Sequence, residues 1–289
     1  MNLKRSAMFF AFLILIPTTM ALGESTEKDV EEFLQKEIVD NIFLIKNFYE
    51  GNNLRFDSQG ELVSKNSPGI WTVSGFFQPK KVKLSKAGIT LTGERFYWTY
   101  DQELHEQQLM RIPGNTKIDI KRQPEQNDVL AIRELMFRIF LLPNESLVEH
   151  VPIYWQNIVR NKFKIAPPAP PEKPWPLITD LPILLQPIPH PSPEYRAKAR
   201  SLGLTGQVAL RGIVDVHGSI KITEIVIPLG AGLEEIAIQD VEKAWRFRPA
   251  LDRSDAPIEA STTVIIGFSL APPGKVPMNS GPGSGRTGR

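Results

Sequence analysis

Residues 166–193 read APPAPPEKPWPLITDLPILLQPIPHPSP, and no ordinary core helix or strand can be built from that run. Proline fixes φ near about −65° and carries no amide donor, so each one interrupts a helix or removes a rung from a ladder. The segment therefore reads as an extended strap, able to span on the order of 80 Å at about 3 Å per residue. It divides a chain of 289 residues into parts on either side, each long enough to bury a core. A strap of this kind predicts few contacts between those parts, and a folded fragment released near Pro193 by limited proteolysis. Residues 181–185 are too apolar for a pure spacer and are expected to lie along one domain.

The first residues read as an address. Lys4 and Arg5 precede an apolar run at 7–16, Pro17-Thr18-Thr19 breaks it, and Ala21-Leu22-Gly23 offers a cleavage site before Glu24. The run falls short of the roughly 20 residues of a spanning helix, so a cleaved signal and export to the periplasm are expected. An uncleaved anchor facing the periplasm is the alternative. The chain has no cysteine, which removes a disulfide framework, cysteine lipidation and cysteine-ligated metal. Net charge is only +2, with basic and acidic residues interspersed, so no broad face for nucleic acid is implied. The expected organisation is a signal peptide (1–23), an α+β domain (24–165), the strap (166–192), a second domain (193–272) and a disordered tail (273–289).

In the first domain, Val30, Phe33, Leu34, Ile38, Ile42 and Ile45 recur at helical spacing, so 28–49 reads as one amphipathic helix capped by Ser25 or Thr26. Short strands follow. Ser58-Gln59-Gly60 marks a hairpin turn between 54–57 and 61–63. Residues 70–77, rich in aromatic and β-branched types, read as strand. Residues 80–84 and 89–92 alternate around Lys86-Ala87-Gly88, and Phe96, Trp98 and Tyr100 share one strand face. Pro113-Gly114-Asn115 reads as a turn between 108–112 and 117–122. This succession predicts an antiparallel sheet or open barrel, flanked by helices at 129–142 and about 145–160.

The second domain reads helix-β-β-α-β. Residues 193–201 can form a short helix. Val208, Leu210, Val214 and Val216 share one face of a strand over 207–216, His217-Gly218 turns it, and 219–227 returns. Leu233, Ile236, Ala237, Val241, Ala244 and Trp245 line a helix over 233–247, with Glu242 and Arg246 spaced to pair. Trp245 and Phe247 continue that stripe and are expected in the core. Residues 261–270 alternate cleanly, leaving Ser261, Thr263 and Ile265 on the face away from Val264, Ile266 and Phe268. The order builds a three-stranded antiparallel sheet with helices on one face.

The ordered set Pro193-Glu194-Tyr195, Ala197-Lys198-Ala199-Arg200, Gly206-Gln207-Val208-Ala209-Leu210, Val214-Asp215-Val216-His217-Gly218, Gly232-Leu233-Glu234-Glu235-Ile236-Ala237-Ile238 and Trp245-Arg246-Phe247-Arg248-Pro249-Ala250 resembles the TonB C-terminal domain family, over residues 191–270. The resemblance implies a non-enzymatic, partner-binding domain of the cell envelope. Domains of that family pair an edge strand with an extended segment from the plug of an outer-membrane transporter, by strand addition. It also places residues 261–270 at a sheet edge, and sets Gln186-Pro187 where the family has a Gln-Pro segment leading into the domain. The expected partner-binding residues are therefore Gln186, Pro187, Ser261, Thr263 and Ile265. The expected role is energy transducer or adaptor for outer-membrane transport. Two features depart from the family: the leader looks cleavable, and a folded domain stands where simpler members have a longer strap. The alternative is a periplasmic protein holding an apolar or envelope-derived molecule against Trp71, Phe76, Phe77, Phe96, Trp98 and Tyr100.

Catalytic and cofactor chemistry find no constellation. His105, His150, His190 and His217 are scattered, with no metal-ligand spacing, and Glu103-Leu104-His105-Glu106 lacks the spacing of a metalloprotease helix. No nucleophile stands with a base. Gly203, Gly206 and Gly212 open no phosphate loop, and Gly230-Ala231-Gly232, which precedes a helix, is followed by no Lys-Ser/Thr. No cofactor, metal or nucleic acid is expected.

Overall fold

The computed structural model describes residues 26–123, 128–141, 147–163, 186–187 and 202–268. The leader, the short helix expected at 193–201 and the tail lie outside them, as does the strap apart from Gln186 and Pro187.

Thr26 opens α1 (Glu27–Phe33). Its Oγ1 accepts the Asp29 N–H at 3.3 Å while Asp29 Oδ2 accepts the Thr26 N–H at 2.6 Å, a reciprocal box that satisfies two orphan donors. The helix widens to a π turn over Leu34–Ile38 and stops. Asp40 then takes a positive φ of 64°, and β1 (Phe43–Ile45) begins. The single helix expected to residue 49 is therefore two elements. Val30, Leu34, Ile38, Ile42 and Ile45 are all buried, but apolar spacing alone does not say where helix yields to strand.

β2 (Asn53–Phe56) leads into the expected turn, where Gly60 takes φ 82° and donates to Asp57 O. The return strand is a single bridge, Phe56 to Leu62. The strand expected over 70–77 opens instead as one buried helical turn, α2 (Trp71–Ser74). β3 (Phe76–Ser85) and β4 (Gly88–Asp101) form the expected hairpin, and β5 (Glu106–Lys121) pairs with β4. β5 runs straight through Pro113-Gly114-Asn115. Thr116 faces Gly93 and Ile112 faces Arg95, so four steps along β5 match two along β4. A bulge absorbs the surplus, and a bulge tolerates a proline that has no amide to pair.

α3 (Val129–Ile139) is capped by Asp128 Oδ1, which accepts the Ala131 N–H at 2.8 Å. β6 (Phe140–Leu141) follows. The helix expected over 145–160 is broken at Pro152 into α4 (Leu147–His150), a 3-10 turn (Ile153–Trp155) and α5 (Gln156–Phe163). The remaining elements are β7 (Gln186–Pro187), β8 (Gly206–Val214), β9 (Ile220–Ile227), α6 (Leu233–Ala244), β10 (Phe247–Arg248), β11 (Ala250–Leu251), β12 (Pro257–Ile258) and β13 (Ala260–Phe268). Trp245 and Phe247 are buried as expected. Glu242 does not pair with Arg246; it accepts the Ile222 N–H at 2.8 Å and Lys221 Nζ at 3.2 Å.

The architecture is α+β. A six-stranded sheet has the order β2-β5-β4-β3-β1-β6, and a three-stranded sheet the order β13-β8-β9. The large sheet is not wholly antiparallel: β2 pairs parallel with β5, Leu54 opposite Ile118. Adjacent residues of a strand point to opposite faces, and Phe77 and Phe76 enter different cores. Phe77 joins Leu91 and Ile118 under Val30 of α1, Leu34 of the π turn, and Ile132 and Leu135 of α3. Phe76 joins Trp71, Trp98 and Trp155 in a core that also holds Val208, Leu210, Leu233, Val241 and Ile266 of the C-terminal part. Trp71 meets Trp155 edge-on at 5.2 Å, and Trp98 meets Trp155 edge-on at 5.7 Å.

One core is thus shared by the segments before and after the strap, which overturns the expectation of few contacts between them. The sheet face of Phe96, Trp98 and Tyr100 is covered by the second part. The backbone joins in as well. Pairing of β3 with β4 reaches Phe96, and beyond it the free side of β4 is taken by the loop after β9. Tyr100 N donates to Leu229 O at 3.1 Å and Ala231 N to Trp98 O at 2.9 Å. Gln102 Nε2 donates to Gln207 O at 2.6 Å and Pro228 O at 3.0 Å.

Candidate functional site

β13 is an edge strand because of where its neighbours lie. It pairs residue for residue with β8, from Ala260 opposite Val214 to Phe268 opposite Gly206, with no bulge. Among the described residues no strand pairs with its other side. β9 forms the opposite margin of the sheet, and the 3-10 turn and α5 pack against it. Asn157 Nδ2 on α5 donates to Glu224 Oε1 on β9 at 2.8 Å. The first part therefore covers one margin, and among the described residues no strand lies along the other side of β13.

The alternation read from the sequence holds along β13. Ala260, Val264, Ile266 and Phe268 are buried in the shared core. Ser261, Thr263 and Ile265 lie on the outer face, opposite Ile213, Arg211 and Ala209. Ser261 is half-buried, Thr263 is exposed, and Ile265 is 59% exposed. Arg211 pairs with Glu224 at 2.7 Å, so the row behind Thr263 carries a neutralised pair. Behind Ile265 the row is apolar, Ala209 and then Ile227. The outer face beside the free edge thus offers one polar and one apolar rung.

Gln186 and Pro187 are placed elsewhere. They form β7, which pairs antiparallel with β10, Gln186 opposite Arg248 and Pro187 opposite Phe247. The structure brings Ser261, Thr263 and Ile265 together on one strand and sets Gln186 and Pro187 on a separate two-stranded ribbon. Asn157 and Trp155, which help close the β9 margin, carry no signal of that role in the sequence: a helix residue facing a distant strand is defined only by the packing.

The other residues weighed for chemistry have ordinary places. His217 lies in the turn after β8, its N–H donating to Asp215 Oδ1 at 2.9 Å. That carboxylate also accepts Ser219 N, and these amides hold Asp215 below its usual range. His105 sits in the turn between β4 and β5, 3.5 Å from Tyr100 Oη. At Gly230-Ala231-Gly232 the amides of the loop before the helix are taken by the chain's own carboxylate, Glu234, which accepts from Leu229 N and Gly230 N. Among the described residues no three or more His, Asp or Glu side chains gather to hold a metal ion, and no helix is long and apolar enough to cross a membrane.

Residues 191–270 match the family described as Gram-negative bacterial TonB protein C-terminal. No curated protein matches the chain.

Proposed function

We propose that this chain, whose residues 191–270 carry a TonB C-terminal domain, is a non-enzymatic cell-envelope protein that binds a partner protein by strand addition at β13. The observation that carries the reading is the edge of β13, on which no further strand pairs among the described residues, in a sheet whose other margin is occupied by α5 and the turn before it. An extended segment laid along β13 pairs with the N–H and C=O groups on its outer side, and the exposed Thr263 and Ile265 meet its side chains. The partner we infer is the plug of an outer-membrane transporter, with the chain facing the periplasm as transducer or adaptor. Gln186 and Pro187 contribute as the approach to the domain.

The second reading, a ligand held against the aromatic face of the large sheet, is not favoured: Trp71, Phe76 and Trp98 are packed into the shared core. The test is Thr263→Pro, which takes one amide donor from β13. Crosslinked pull-down from intact cells should recover a transporter plug with the wild-type chain and lose it with the variant, while circular dichroism shows α6 intact. Unchanged capture by a folded variant rules out strand addition there.

A further inference from the structure

α6 carries two adjacent carboxylates into the shared core, Glu234 at 0% and Glu235 at 8% exposure. Glu235 Oε1 accepts the indole N–H of Trp155 at 2.9 Å, a bond from the second part of the chain to the first. Glu234 turns back on the loop before its own helix, where Oε1 accepts Leu229 N at 2.5 Å and Gly230 N at 2.6 Å. That loop is the one docked on the free side of β4, through Tyr100 N to Leu229 O and Ala231 N to Trp98 O. Glu234 Oε2 has no hydrogen-bond partner among the described residues. The one carboxylate that shapes the docking loop is therefore buried, half satisfied and beside another carboxylate.

We propose that the seam between the two parts is a proton-controlled latch, held most firmly when Glu234 carries its proton and loosened as Glu234 ionises. The loop's connectivity survives either state, because a neutral carboxyl still accepts both amides through its carbonyl oxygen. What changes is a charge inside an apolar core. The two amides and the helix start favour that charge, while burial and the neighbouring carboxylate oppose it. The neighbouring titratable groups are Glu235 on the same turn and Tyr154 from the 3-10 turn of the first part, which also feels Glu242 further along α6. Glu242 is engaged by Lys221 and Ile222 N. Tyr154 is pushed up to about 12, by burial first and then by Glu235, Glu242 and Glu234, so it stays neutral and offsets nothing.

Burial first, and Glu235 second, raise Glu234 from 4.5 to about 7. An acid raised by docking binds its proton more tightly in the docked state. Docking is thus favoured in full below about 4.5, and the advantage is lost as pH rises through about 7. The probe is the full chain, followed by amide and indole NMR between about pH 5 and about pH 8. The Leu229 and Gly230 amides should titrate with the Trp155 indole, and exchange protection at Tyr100 and Ala231 should fall toward the alkaline end once corrected for base catalysis. Glu234→Gln keeps the Oε1 acceptor and should abolish both the titration and the loss of protection. Wild-type amides that do not move across the range would overturn the proposal, whether or not the variant folds. So would the same loss of protection in a folded Glu234→Gln.

Discussion

A Cβ on Gly230 would stand 2.4 Å from the carbonyl oxygen of Trp98 and 2.6 Å from Thr99 Cα, on a backbone held at φ 93°. The left-handed conformation alone costs a residue other than glycine roughly 1–2 kcal/mol. The clash adds to it, because the obstacle is strand backbone rather than the end of a flexible side chain. Gly230→Ala is expected to lower stability by at least about 2 kcal/mol. It should also strip exchange protection from the Ala231 amide; denaturant unfolding and amide exchange check both outcomes. At this scale the sequence was partly legible. Gly60 was readable as a turn residue from its flanks. Gly230 was readable as a helix entry, but not as the point where a distant strand leaves no room for a side chain.

At the scale of elements, boundaries follow local chemistry, part of which the helix expected over 145–160 overlooks. Asp128 caps α3 and Pro152 breaks the last helical stretch of the first part. Asp128→Ala should cost about 1 kcal/mol, since it orphans the Ala131 amide, and thermal unfolding of the variant measures it. Pro113-Gly114-Asn115 was the misleading signal. The same residues serve a turn or a bulge, and the long partner strand β4 decided for the bulge by pairing on both sides of it. Residues 70–77 misled for a related reason. Aromatic and β-branched composition favours a half-buried surface, and a buried helical turn supplies one as well as a strand does.

For the whole molecule the consequence is cooperativity. Trp71, Trp98 and Trp155 fill a core with Leu233, Val241 and Ile266, so neither part buries its apolar surface alone. Calorimetry of the full chain should show one transition whose calorimetric and van't Hoff enthalpies agree. A fragment confined to residues 191–270 should melt lower than the full chain, having lost the cover over Leu229 and Leu233. Two separated transitions, with the fragment as stable alone as in the chain, would show that the seam contributes nothing.

The sequence by itself determined the α+β class, the three antiparallel strands of the small sheet, the alternation of β13 and the outward place of Thr263 and Ile265. Each is a local property: a period of two or 3.6, a turn residue, a cap, or an ordered set of motifs in one stretch of chain. The tertiary structure decided that the two parts share a core, that α5 closes the β9 margin, that β2 runs parallel to β5, and that Glu234 and Glu235 face inward at a seam. Those depend on which surfaces meet. Glu234 shows the difference: its place in the first turn of a helix predicts a solvated carboxylate at a favourable dipole. In the folded chain it is 0% exposed instead, turned back on Leu229 N and Gly230 N beside the seam.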